Sequence, residues 1–309
     1  MDGEVAPVVA RRRMASSLDD VAPVGLERPC GAEAGDWMHI APASPGFERI
    51  EASFLRHAFG PHRHDTYAIG VTVGGVQAFR YRGAATHSLP GQSFVLHPDE
   101  VHDGHGGGDA GFRYRILYIA PGLIRDALPD RARSLPFVRE AVSTGGRIAA
   151  AIRPALDDLE APMDELALDQ IVADLADALV AADPTIATRP ASRIDRRAVD
   201  RARDRLEADL ARAVSPRELE ATTGISRFAL ARLFRASLGT SPHRYRTMRR
   251  LDAMRALIRT GTPLGEAAAA CGFADQSHMT RQFRNAYGLP PGRWSAFAGP
   301  LGICRGDPI

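Results

Sequence analysis

The sequence predicts a chain of two unlike parts: a β-barrel with accessory helices, then an all-α domain in which two helix-turn-helix motifs are joined by a linker helix. Three observations predict it. Short strand-like runs alternate with turn residues between about residues 50 and 120, one helical module occurs twice beyond residue 190, and the charge divides at the same border. Of the 309 residues, 45% are hydrophobic and 25% charged, a composition that forms ordinary cores and a length that allows two of them.

Residues 1–36 mix Pro, Gly, Ala and charge without a period, which predicts a mobile arm. No apolar run follows Arg11, Arg12 and Arg13, and no segment has the length of uncharged apolar sequence needed to span a bilayer, so neither export nor a membrane partner is expected. Cys30, Cys271 and Cys304 are far apart and odd in number, which argues against a disulfide framework and a thiolate zinc site. The same spacing weighs against a DNA-alkyl-transfer protein, whose zinc would need clustered cysteines. A reducing cytoplasm fits.

The β-part, 37–181 with its helices, is built on "YAIGVTV" from Tyr67, "VQAFRYR" from Val76, "QSFVLH" from Gln92 and "FRYRILYI" from Phe112. Turn chemistry separates these runs at Gly74-Gly75, Pro90-Gly91, Pro98-Asp99 and the glycine-rich 104–111. After about residue 122 the period changes. Leu166, Ile171, Leu175, Ala178 and Leu179 follow helical spacing, and this stripe either packs on its own barrel or forms a dimer seam. Two prolines among small polar residues place an interdomain linker at 182–193.

Residues 193–298 hold 20 Arg against 10 acidic residues, whereas the rest of the chain holds 19 against 27. That is +10 in one third and −8 elsewhere, and it points to a nucleic-acid-binding part joined to one that does not bind it. Within 194–298, "RLFRASLGTSP" from Arg232 and "RQFRNAYGLPP" from Arg281 agree at five positions, each offset by 49. In the first copy Ser215, Pro216 and Glu218 form a capping-box start, Gly224 permits a sharp turn, and Ser226 caps a second helix that ends at Gly239. The second copy starts a helix at Thr262-Pro263, turns at Gly272 and ends at Gly288. Residues 299–309 form a tail.

Leu230 and Phe234, like Met279 and Phe283, are four apart and face inward. The opposite faces offer Ser226, Arg227, Phe228, Ala231, Arg232 and Arg235 in one copy and Asp275, Gln276, Ser277, Thr280, Arg281 and Arg284 in the other. Arg and Gln can take purine edges bidentately, and Thr or Phe can meet a thymine methyl. Between the copies a linker helix carries Arg244, Arg246, Arg249 and Arg250, the expected phosphate contacts. Double-stranded DNA is the partner these residues imply.

Residues 194–298 resemble the DNA-binding domain of the AraC/XylS family of bacterial transcription regulators, most closely in "AAAACGFADQSHMTRQFRNAYGLPPGRW", residues 267–294. The resemblance implies two helix-turn-helix units entering successive major grooves, with Phe228, Ala231 and Arg232, then Gln276, Ser277, Thr280 and Arg281, at base-contacting positions. It also implies a homodimer and contact with RNA polymerase. Glu220 departs from the small residue usual near the first turn.

The stretches "PHRHDTYAIGVTVGGVQAFRYRG" and "LPGQSFVLHPDEVHDG" resemble the cupin-type sensor barrel found in many members of that family. His62 and His64, two apart at the start of a strand-like run, leave on one face, as in many barrel metal sites. A cupin enzyme adds a Glu shortly afterwards and a third His. His102 can be the third, but Ala68 or Ile69 stands where the Glu would be, and Glu100 is the substitute on the strand face of His102.

His62, His64 and His102 are therefore the metal candidates, although no cofactor is expected. His62, His64, Tyr67, Arg80, Arg82, His97, Glu100 and His102 are the candidates to line a ligand pocket, and an Arg among them favours an anionic effector. The reading is a sequence-specific DNA-binding regulator whose barrel senses a small molecule. The alternative is a metal-dependent cupin enzyme fused to a DNA-binding domain.

Overall fold

Alternation along two adjacent strands, β4 (Tyr67–Gly75) and β9 (Phe112–Ile119), decides the architecture of the first half. On one face Tyr67, Ile69, Leu117 and Ile119 meet a helical layer; on the other Ala68, Phe112, Tyr114 and Ile116 fill the barrel. Residues two apart share a face, so each strand contributes to both cores. In this computed structural model residues 35–42, 44–128, 134–160, 163–183, 185 and 195–298 are described.

The larger sheet has the order β1 (Trp37–Ile40), β2 (Phe47–Phe54), β9, β4, β7 (Gln92–Leu96), β10 (Val142–Thr144). The smaller runs β3 (His57–His62), β8 (His102–Gly106), β5 (Gln77–Tyr81), β6 (Ala84–Ser88), and every pairing in both sheets is antiparallel. Together they form the expected barrel. Its outer face is covered by α1 (Pro121–Ala127), α2 (Gly146–Leu156) and α3 (Glu165–Ala182).

The structure resolves the two readings of the apolar stripe on α3. Ile171, Leu175, Ala178 and Leu179 are buried against the barrel's own sheet and helices, so the stripe is not a dimer seam. Leu166, the first residue of that stripe, stands apart from it at 81% exposed.

The helical part comprises α4 (Arg196–Glu207), α5 (Pro216–Thr223), α6 (Arg227–Leu238), α7 (Pro242–Arg259), α8 (Leu264–Ala270), α9 (Gln276–Tyr287) and α10 (Pro291–Ala298). Both repeats form as their punctuation predicts. Ser215, Ser226 and Asp275 accept N-cap hydrogen bonds, and Gly224, Gly239 and Gly288 close helices in the left-handed region. Leu230 and Phe234 bury themselves against α4 and Tyr245, while Met279 and Phe283 bury against Met248, Leu251 and Trp294.

The capping box is only half made. Ser215 caps the Glu218 amide, but the Glu218 carboxylate pairs with Arg205 and Arg212 instead of reaching back. Glu220, out of pattern for the family, caps the next helix by accepting from the Arg227 N–H at 2.7 Å.

Of the expected arm, only Gly35 and Asp36 lie among the described residues; of the linker, only Ala182, Asp183 and Thr185. The tail at 299–309, with Cys304, and Cys30 in the arm lie outside them.

Candidate nucleic-acid interface and effector cavity

Burying Leu230 and Phe234 turns the other side of α6 to solvent, and Met279 and Phe283 do the same for α9. Ser226, Arg227, Phe228, Ala231, Arg232 and Arg235 are all exposed, Phe228 to 64%. On α9 Asp275, Gln276, Ser277, Arg281 and Arg284 are exposed and Thr280 half-buried. The Arg227 guanidinium lies over the Phe228 ring at 4.9 Å, and Asp275 is committed to capping the His278 amide at 2.6 Å.

The arginines of α7 depart from the expectation that they contact phosphate. Arg249 turns inward, donating to Asp65 at 2.9 Å and lying 3.1 Å from Asp252. Arg250 donates from Nε to the Leu210 carbonyl at 2.6 Å, and Arg246 binds the same carbonyl at 3.1 Å, so both tie the α4–α5 connection to α7. Neither Arg249 nor Arg250 belongs to the outer face. The reason is tertiary: α7 is packed between the two repeats and the barrel, so its polar side is an internal surface.

Part of the basic excess is therefore answered within the chain. Asp99, 6% exposed, has Arg63, Arg235 and Arg244 at 3.5, 3.7 and 3.8 Å. Glu48 meets Arg255 at 2.5 Å and Arg259 at 3.3 Å, and Asp36 meets Arg293 at 3.2 Å. Main-chain bonds add to this contact, from Gly60 N to Gly288 O at 3.2 Å and from Arg63 N to Asn285 O at 3.0 Å.

Between the barrel and the helical part lies a cavity of about 290 Å³, walled by Glu48, His64 and Tyr118 on one side and by Met248, Arg255 and Trp294 on the other. Its wall has unused polar capacity. Nε of Arg249, Nε of Arg255 and Oδ1 of Asp65 are buried without a hydrogen-bond partner. Burial lifts the Asp65 carboxyl to about 6 even with Arg249 beside it.

The structure scatters the residues expected to line one pocket. His62 and His64 border the cavity, with His102 beside them. Tyr67 does not: strand parity sends it to the helical layer, where its hydroxyl donates to the Pro136 carbonyl at 2.9 Å. Arg80 is exposed on the outside of β5.

His97 is buried away from the cavity, its Nε2 accepting from the Val138 N–H at 3.0 Å and its Nδ1 lying 2.9 Å from the Tyr81 hydroxyl. Arg82 packs beside it between the rings of Tyr81 and Phe137. Glu100 keeps its carboxylate near Arg82, 4.0 Å away and 42% exposed, so the expected set of two histidines and one carboxylate is not assembled. Nor do His62 and His64 open a strand: His62 ends β3 and His64 lies in the connection to β4.

What does converge is three histidines. His62 and His102 face each other across β3 and β8, and His64 comes in from the loop, so that one ring nitrogen of each lies within 4.8 Å of the others. These residues could hold a metal. Burial, with His102 adding to the effect on the other two, holds His62 and His64 well below the usual imidazole range, and burial brings His102 to about 4. Sequence reasoning missed Glu48, Asp65, Tyr118, Arg255 and Trp294 as cavity residues; no local signal marks them.

Comparisons with known proteins agree with this division. A family model described as an AraC-like ligand binding domain matches residues 44–176, and a helix-turn-helix domain model matches 219–296. The probable transcriptional regulator LumQ of Photobacterium leiognathi is 33% identical over 93 residues, which are 30% of this chain and 38% of that protein. The HTH-type regulator YbfI of Bacillus subtilis is 25% identical over 229 residues, 73% of this chain and 82% of its own.

Among solved structures, ToxT from Vibrio cholerae O395 has the same fold at 12% identity, with a TM-score of 0.58 over 83% of this chain and all of that one. ToxT has also been solved with an unsaturated fatty acid bound. The matches in both halves give this chain the two domains of AraC-type transcription regulators, an AraC-like ligand-binding domain joined to a helix-turn-helix domain.

Proposed function

We propose that the chain is a sequence-specific regulator of transcription in which a small molecule, held in the cavity between the barrel and α7, changes how the barrel holds the two helix-turn-helix units. The observation that carries this is the shared wall: Glu48 and Asp65 of the barrel and Arg249 and Arg255 of α7 meet across one space. An occupant that takes a hydrogen bond from either arginine competes with a barrel carboxylate for it. Differential affinity for the two arrangements then shifts their populations.

The orphaned Nε donors of Arg249 and Arg255 favour an effector with an acceptor oxygen, and Tyr118, Met248 and Trp294 favour an apolar body. A small amphipathic carboxylate meets both conditions. On DNA, Phe228, Ala231 and Arg232 of α6 and Gln276, Ser277, Thr280 and Arg281 of α9 read bases, while Arg227, Arg235 and Arg284 serve the backbone. The reading further includes pairing of two copies, contact with RNA polymerase and a cytoplasmic location, and it includes no catalysis. Among the described residues no helix is long and apolar enough to cross a membrane.

The test uses thermal unfolding of the full chain against a panel of aromatic and aliphatic carboxylates, since a binder of the folded state raises the midpoint through RT ln(1 + [L]/Kd). Ala256 is exposed and lines the cavity, so Ala256→Trp fills the space without disturbing a core. A rise in the wild type that Ala256→Trp abolishes supports the reading; a rise of equal size in both places the effector elsewhere.

A further inference from the structure

His62, His64 and His102 are buried to 7%, 4% and 5% exposure, and their rings stand close together, with centroids 4.2 Å apart for His62 and His102 and 4.9 Å for His64 and His102. Each ring makes the same kind of hydrogen bond. Nδ1 of His62 meets the Gly60 carbonyl at 2.8 Å, Nδ1 of His64 the Thr66 carbonyl at 3.0 Å, and Nδ1 of His102 the Glu100 carbonyl at 2.9 Å. A carbonyl can only accept, so all three Nδ1 atoms carry the proton and all three Nε2 atoms carry a lone pair. Three acceptors then share one buried space with no imidazole hydrogen to link them. Nε2 of His64 is buried with no partner at all.

Leaving a buried acceptor unsatisfied is costly, and the fold does so where two further lone pairs stand beside it. An imidazole whose Nδ1–H is fixed by a backbone carbonyl is the usual second-sphere arrangement of a histidine that ligates a metal through Nε2. We propose that His62, His64 and His102 bind one divalent transition-metal ion through their Nε2 atoms. A set of three neutral nitrogens suits Zn²⁺, Co²⁺, Ni²⁺ or Cu²⁺ and discriminates against Mg²⁺ and Ca²⁺, which take oxygen ligands.

The site departs from the enzyme pattern of the cupin resemblance, because Ala68 and Ile69 stand where its carboxylate ligand would be and both are fully buried. Three protein ligands leave a coordination position open. Since His62 and His64 also line the cavity, that position is available to a ligand held there. The inference stands whether or not the effector reading holds.

The test takes the full chain without an affinity tag, stripped with a chelator and titrated with Co²⁺. One Co²⁺ per chain is expected, with visible ligand-field bands that Zn²⁺ abolishes by competition. His102→Ala and His64→Gln should each weaken binding at least about 100-fold, whereas His105→Ala, outside the cluster, should leave it unchanged. Far-UV circular dichroism establishes that each variant is folded, and His64, in a loop, is the substitution that least disturbs a strand. Absence of a one-to-one Co²⁺ complex in the wild type overturns the proposal, as does a complex that survives both His102→Ala and His64→Gln.

Discussion

Gly288, the C-cap of the second repeat's outer helix, rests directly on His62 of the barrel: a Cβ at Gly288 would lie 2.8 Å from His62 Nδ1 and 2.9 Å from the Gly60 carbonyl. Gly239, its counterpart in the first repeat, rests in the same way on Pro98, 2.8 Å from its Cβ. Both glycines have positive φ, 69° and 70°, so both close a helix in the left-handed region. The barrel thus grips the outer helices α6 and α9 at equivalent ends.

Gly288→Ala should therefore cost more than its backbone strain. A left-handed alanine alone costs about 1–2 kcal/mol, and here the methyl group also pushes the helical part off β3. Gly224→Ala is the comparison, because that residue has a similar φ of 74° and open space around it. Urea unfolding of the full chain should show Gly288→Ala less stable than Gly224→Ala by at least about 1 kcal/mol. Equal losses would mean that the contact with His62 contributes nothing.

Arg281 and Arg249 should behave differently on DNA although both are basic and both lie in the helical part. Arg281 is exposed on α9, and its loss should cost about 1–3 kcal/mol on the preferred sequence with little change on random DNA if it reads a base. Arg249 is held by Asp65 and Asp252, so Arg249→Ala should leave the dependence of DNA affinity on salt concentration unchanged. Gel-shift or fluorescence titrations on selected and scrambled duplexes at several salt concentrations measure both. A fall of about one in the salt slope for Arg249→Ala would return that residue to the DNA face.

Glu48 should couple the two parts of the chain in a pH-dependent way. Burial alone would raise its carboxyl, but Arg255 and Arg259 hold it below its ordinary value of 4.5. A carboxyl with a depressed folded-state pKa contributes fully above its unfolded pKa, and the contribution disappears as the pH falls through the folded-state value. Glu48→Gln should thus destabilise the chain by about 2 kcal/mol at pH 7 and by less as the pH falls below 4.5. Unfolding of wild type and variant across that range checks it, and a constant difference would contradict the role given to Glu48.

Much of the helical part was legible because its signals are local. Ser226, Asp275, Gly224, Gly239 and Gly288 act within a few residues of themselves, and the offset of 49 between Phe234 and Phe283 repeats one packing unit. The strands β4, β5, β7 and β9 were legible for the same reason, whereas β2, β8 and α2 were not. β8 reads "HDGHG" and looks like a glycine-rich turn, but pairing with β3 and β5 makes it a strand.

The sequence by itself determined the class of the chain, its two repeats, the outer faces of α6 and α9, and His62, His64 and His102 as a set. Each of these follows from periodicity, capping or a short spacing, which the backbone expresses wherever the segment lies. Only the tertiary structure decided that Tyr67 and Arg80 leave the pocket, that Arg249 pairs with Asp65 instead of facing DNA, and that Glu48, Tyr118 and Trp294 wall one cavity. Those outcomes depend on which face of one element meets which face of another. Residues as far apart in the chain as Glu48 and Arg255 carry no local mark of their meeting.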